Sequence, residues 1–223
     1  METTPNQKSD TALARSQVYG LLATIFRAEP TEAFLRELKG PGFTGVFSDL
    51  GIDLGDELQK KPEAELGEEL AVEFTRLFLG PDSHISAHES VFVEVDGGVG
   101  GLWGEKTVEV KKFIEAAGLT YGADYTGIPD HVSVELEFLQ KLAEWEAGKW
   151  AQSDAENAVY CLGVEKRFIE EHLGKWVPEL CDKVADRADL PFYREMAGVT
   201  KKFIEYDQRT IDEYFSSDRG GES

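Results

Sequence analysis

The 223-residue chain is predicted to be all-α: a single-domain helical bundle of roughly eight to ten helices with two long functional loops. Apolar residues recur at three- and four-residue spacing along most of its length. Capping residues and glycines punctuate those stretches where helices should start and stop. Strand-like character is confined to one short run, Ser90-Val-Phe-Val-Glu-Val. No repeat, low-complexity tract or linker divides residues 1–223, so one domain is expected.

Taken in order, the first ten residues are polar and expected to fray. Leu13 to Arg27 puts Val18, Leu22, Ile25 and Phe26 on one face, and Thr31 caps a short helix carrying Phe34, Leu35 and Leu38. Pro41 to Lys61 reads as irregular. A helix from about Glu63 to Leu79 carries the stripe Leu66, Leu70, Phe74, Leu77 and Phe78, stopped by Gly80-Pro81. Residues 80–104 form the first long loop, rich in glycine (Gly97, Gly98, Gly100, Gly101, Gly104). Thr107 to Ala117 is helical, and 118–129 is the second loop. His131–Gly148 buries Val132, Leu136, Leu139, Leu142 and Ala143. Ser153-Asp-Ala-Glu156 reads as a capping box opening a helix to about Leu173. Lys175–Ala188 and Phe192–Phe215 complete the bundle, leaving 216–223 as a second frayed tail.

The net charge of −20 excludes nucleic acid or an anionic membrane as principal ligand and favours cationic partners. The start lacks the basic and apolar segments of an export signal, and Val18–Phe26, the longest largely apolar run, is too short to span a membrane. Cys161 and Cys181 read as buried small hydrophobes in a reducing cytoplasm.

Asp130 and His131 carry the first chemical signal. Asp130 is placed as the N-cap of the helix that follows, holding His131 toward the outside in a binding or proton-handling geometry. His84, His88, Glu89, Asp130, His131 and Glu135 could ligate a metal, but no His-Glu-x-x-His, Cys-x-x-Cys or paired Glu-x-x-His pattern occurs. No metal or other cofactor is therefore expected. Ser90 lacks a nucleophile elbow, and no phosphate-binding Gly-x-x-x-x-Gly-Lys motif is present. Phe74, Leu77, Phe78, Phe92, Trp103 and Tyr125 bracket the two loops. Beside an acidic surface they suggest a groove for a peptide basic at one end and apolar at the other.

Five segments in order resemble the TorD/DmsD family. They are Glu73-Phe-Thr-Arg-Leu-Phe-Leu-Gly-Pro81, Glu89-Ser-Val-Phe92, Trp103-Gly104, Pro129-Asp-His131 with Glu135-Leu-Glu-Phe-Leu139, and Phe168-Ile-Glu-Glu-His-Leu-Gly-Lys-Trp176-Val-Pro178 leading to Pro191-Phe-Tyr193. The resemblance implies a cytoplasmic, non-enzymatic chaperone. Such a protein would hold the twin-arginine leader and apo form of a DMSO-reductase-type molybdenum oxidoreductase, delaying export until the molybdopterin cofactor is inserted. It carries leader-binding positions onto Leu77, Phe78, Gly104, Asp130 and His131, and implies weak guanine nucleotide binding as a further property of some members. Where the family has Pro-Pro-Tyr/Trp, this chain has Ser86-Ala87-His88, so partner choice should differ. His88, Glu89 and Trp103 complete the expected peptide site, with Asp130 and Glu89 accepting guanidinium hydrogen bonds and Leu77, Phe78 and Trp103 covering the apolar part. The competing readings are a hydrolase or nucleotide-binding enzyme using Asp130 and His131, and an acidic subunit of a permanent complex.

Overall fold

Helix α1 (Pro5–Arg27) starts well before the apolar periodicity places it, within the segment expected to fray. The cause is local. Thr4 Oγ1 accepts from the Gln7 amide (3.3 Å), Gln7 Oε1 accepts from the Thr4 amide (2.9 Å), and Pro5 has its φ preset for the first turn. Tertiary contacts then hold the turn: Ser9 Oγ donates to the Ala147 carbonyl (3.0 Å), and Lys8 Nζ lies 4.4 Å from the Trp150 ring centroid. The computed structural model describes residues 4–41, 56–81, 84–95, 98–99, 101–122 and 125–218. The expectations for 1–3, most of 41–61, Gly97, Gly100 and 219–223 fall outside that set.

Helix α2 (Glu32–Leu38) is capped by Thr31 as expected, its Oγ1 accepting from the Phe34 amide at 3.2 Å. Within the stretch read as irregular lies α3 (Asp56–Lys60). Helix α4 (Glu63–Phe74) widens into a π-helical turn, Thr75–Leu79, instead of running regularly to its glycine stop. The run read as β-leaning splits in two. Residues Glu89–Phe92 form the short helix α5, and only β1 (Glu94–Val95) pairs, antiparallel with β2 (Gly98–Val99). Side-chain preference favoured a strand over the whole run, but a strand also needs a partner for its backbone, and a carboxylate from elsewhere caps α5 instead.

Helices α6 (Glu105–Ala116), α7 (Val132–Ala151) and α8 (Ala155–Phe168) follow. The cap of α8 is Asp154, accepting from the Asn157 amide, while Ser153 occupies a left-handed turn at φ 60°. A second π turn, Ile169–Leu173, leads into α9 (Gly174–Arg187), and α10 (Pro191–Asp218) extends into the tail expected to fray. Gly174 is required where it stands, because a Cβ there would meet the Ile169 carbonyl oxygen at 2.7 Å.

The bundle is built on α1 lying antiparallel along α7, as the Ser9–Ala147 and Arg27–Glu137 pairs at its two ends show. Tyr19, Leu22 and Phe26 of α1 bury against Leu136, Leu139 and Leu142 of α7. Phe168, Leu173, Trp176, Met196 and Ile204 close the core from the C-terminal helices. Across this interior runs one buried ionic cluster. Arg15 on α1 meets Glu146 on α7 (2.6 Å), Glu165 on α8, and Asp207 on α10 (2.5 Å), and Tyr19 donates to Asp207 (2.6 Å). One guanidinium thus ties four helices and serves three carboxylates. Burial pushes Glu165 up to about 8, against the opposing pull of Arg15. Both cysteines are buried free thiols, and burial raises Cys161 to about 11 and Cys181 to about 12.

Candidate functional site

Both loops and the mouth of α7 meet at one junction. The backbone joins them first: the Glu89 amide donates to the Asp130 carbonyl (3.0 Å), the Val132 amide to the Ala87 carbonyl (2.9 Å), and the Ile85 amide to Leu77 in the first π turn (2.7 Å). Side chains then lock it. The Asp130 carboxylate accepts from the Ser90 amide (2.9 Å) and from the Thr107 hydroxyl (3.1 Å), joining α5 and α6 to α7. From the second π turn, His172 Nδ1 lies 2.9 Å from Glu89 Oε2. Beneath them Trp176 donates to Glu135 (3.1 Å), whose carboxyl is pushed well up by burial and then by the charge of Glu89. Burial beside Glu89 therefore favours the protonated form of Glu135.

The structure brings the sequence-derived residues together but sorts them into two layers. Asp130 and Glu89 are both 0% exposed, and Leu77 and Phe78 are buried with them. Phe78 packs on Phe26, Phe74 and Tyr193 in the core. The expectation that Asp130 caps the helix it precedes is corrected: His131 is the N-cap of α7, its Nδ1 accepting from the Ser133 amide at 3.2 Å, and Asp130 caps α5 across the junction. With both carboxylate oxygens engaged and no exposure, Asp130 has no free face for a guanidinium in this conformation. Glu89 is similarly committed. Phe92 is turned toward Trp176 and covered by Lys183 at 4.3 Å. Among the described residues, the 85–90 segment packs directly against Asp130–Val132, with Ile85, Ala87, Glu89, Ser90, Asp130 and Val132 all buried.

The outer layer comprises the half-buried His88 and His131 and, at the α6 entrance that Thr107 bonds to Asp130, Trp103 and Gly104. The two imidazoles stand edge to face, centroids 4.9 Å apart. Burial, then the neighbouring His88, pushes His131 down to about 4, and His88 is lowered by burial. A neutral His131 accepting at Nδ1 carries its proton at Nε2. Its folded-state value lies below the ordinary 6.5, so its contribution to stability is present above 6.5 and is lost as pH falls through about 4. The His131 ring resonances should accordingly stay flat between pH 8 and 5 in an NMR titration; a midpoint near 6.5 would contradict this environment.

Trp103 is the most unusual member. It sits at φ 66°, a left-handed conformation that costs a non-glycine residue roughly 1–2 kcal/mol, and it is 65% exposed. The turn beneath it closes with the Gly104 amide donating to the Gly101 carbonyl (3.0 Å). A Cβ on Gly104 would meet that same oxygen at 2.8 Å, so glycine is required there. Leu102 and Val108 are exposed on either side, and the exposed Glu105 begins α6. Across the junction, Tyr125 stacks on Tyr121 (5.4 Å, 22°) and donates to the Ile128 carbonyl at 2.9 Å.

Sequence reasoning missed Ser90, Thr107 and His172 as parts of this site. Ser90 and His172 lie within segments that carry the family resemblance, but nothing there marks a role for them; each of the three matters only because the fold sets it against Asp130 or Glu89. Among the described residues, no group of three or more His, Cys, Asp or Glu side chains is placed to hold a metal ion, and no helix is long and apolar enough to cross a membrane.

A family model described as nitrate reductase delta subunit matches residues 49–182, more than half the chain, a span that includes Leu77, Glu89, Trp103, Asp130, His131 and His172. The chain belongs to the nitrate reductase delta subunit family. Its relatives include the chaperone protein TorD of Vibrio atlanticus, 25% identical over 211 residues that cover 88% of this chain and 94% of the relative. The chaperone protein TorD of Shewanella loihica is 26% identical, covering 87% and 91%. The fold is shared with the crystal structure of a protein described as a redox enzyme maturation protein from Archaeoglobus fulgidus, at TM-score 0.54 and 22% identity, covering 86% of this chain and 93% of the other. With this membership and these relatives, the chain is a chaperone and not an enzyme.

Proposed function

We propose that this chaperone is system-specific, acting in the cytoplasm on one molybdopterin-dependent oxidoreductase of the DMSO-reductase type. It binds the twin-arginine leader and the apo form of that client, assists cofactor insertion and delays export. Relatives named chaperone protein TorD across most of the chain support the class of function. The single observation that favours a peptide face at the junction is Trp103, kept exposed in a strained conformation by a turn that tolerates only glycine at 104. Strain of this kind persists where the surroundings impose it, and it is concentrated at binding sites.

The outer layer suits such a leader. An arginine can lie over the Trp103 ring with its guanidinium near the exposed Glu105 carboxylate, and neutral His88 and His131 add no opposing charge. Leu102 and Val108 offer apolar surface to the segment that follows the arginines. The overall charge of −20 speeds encounter more than it tightens the complex. Leu77, Phe78, Glu89 and Asp130 support this face from below.

Calorimetry with a synthetic twin-arginine leader should show binding in the roughly micromolar range, weakened about ten-fold by Trp103→Ala. Equal affinity for a scrambled peptide of the same charge would remove the specific face. Guanine nucleotide, tried in the same cell, separates the nucleotide-binding alternative.

A further inference from the structure

We infer that Thr107 is a positioning residue for the leader-binding face, acting through Asp130 to fix the Trp103 turn relative to His131; this rests on the reading of that face given above. Thr107 lies in the first turn of α6, three residues after Gly104, and is buried together with Ser90 and Asp130. Its hydroxyl donates to Asp130 Oδ1 at 3.1 Å while the Ser90 amide occupies Oδ2 at 2.9 Å. Within itself the turn is closed by the Gly104 amide on the Gly101 carbonyl. Leu102, Trp103 and Glu105 are all exposed, and an added Cβ at Gly101 would touch nothing within 4 Å. Further down α6, Val110 and Ile114 are buried and Phe113 packs edge-on against Phe138, Phe168 and His172, contacts that bring no hydrogen bond to the junction. The Thr107–Asp130 bond is therefore the polar tether that sets where the α6 entrance, and Trp103 with it, stands against the histidine pair on α7.

Asp130 is itself aligned by the lattice below. The Glu89 amide donates to its carbonyl, and the Glu89 carboxylate is fixed by His172. A tether ending on such a braced group transmits position, where a bond to a mobile side chain would not. Pre-organising a face lowers the ordering cost of binding, so loosening it should weaken affinity even when every contacting residue is retained.

The test uses the full chain with Thr107→Val, Thr107→Ala and Thr107→Ser, measuring leader affinity by calorimetry and amide hydrogen exchange across 101–105. Val and Ala should each bind the leader roughly ten-fold more weakly, with faster exchange at 101–105, while Ser restores both. Wild-type affinity in the Ala and Val variants, whatever happens to their melting temperatures, would overturn the inference. So would unchanged exchange at 101–105. If Val does not fold, Ala leaves space instead of a clash and decides the point. A wild-type chain that fails to bind the leader defeats the proposed function, whereas the exchange data still decide whether Thr107 tethers the turn.

Discussion

Replacing Arg15 with methionine should destabilise the protein by about 3–5 kcal/mol, read as a lowered urea midpoint, and lower its melting temperature by roughly 10 °C. The substitution leaves Glu146, Glu165 and Asp207 inside the bundle without their shared cation, and an unpaired buried charge costs far more than the pair contributes. The loss should depend on pH. Glu165 is raised to about 8 in the folded state against 4.5 ordinarily, so folding takes up a proton there. Its contribution to stability is complete below 4.5 and is lost as pH rises through about 8. Glu146 is shifted in the same direction by burial. Without Arg15 the pull holding these groups down disappears, and the variant should lose stability more steeply than wild type between pH 5 and 8. A loss below about 1 kcal/mol, or a slope no steeper than wild type, would mean that the cluster is not the joint between α1, α7, α8 and α10.

Much of the fold was legible because helices declare themselves locally. Thr31 caps α2, and Leu22, Ile25 and Phe26 of α1 and Leu136, Leu139 and Leu142 of α7 are buried on the faces their spacing gives them. Failures arose where a distant group decided a local structure. Thr4 and Pro5 start a helix whose first turn looks too polar to hold, because Ala147 and Trp150 receive it. Ser90–Phe92 is helical because Asp130, forty residues later, caps it. The two π turns leave no mark in the apolar spacing, yet they aim the Leu77 carbonyl at Ile85 and His172 at Glu89. The same difference separates the site's layers. Sequence placed Asp130, His131, Glu89 and Trp103 in one region, but it could not show which would be covered. Burial of an acid depends on donors such as Thr107 and Trp176 arriving from other helices.

Asp130→Ala should cost about 3 kcal/mol of stability, since it strands the Ser90 amide and the Thr107 hydroxyl, both buried, without an acceptor. Asp130→Asn should fall between wild type and Ala, because the amide oxygen can still accept one bond while its NH2 group opposes the other donor. Leader affinity should follow stability through this series, declining in Asn and falling more than ten-fold in Ala as the Trp103 turn loosens. Direct pairing of Asp130 with a leader arginine would give a different pattern: Asn would lose affinity at nearly unchanged stability, and the salt dependence of binding would diminish with the lost charge. A buried brace predicts the opposite on both counts, with the salt dependence of residual binding the same as in wild type. Removing the Asp130 charge should also relieve Glu135, whose carboxyl that charge helps to raise, so Glu135 should ionise more readily in both variants. Affinity lost in Asn without any loss of stability would return Asp130 to the binding surface and require the junction to open when the leader arrives.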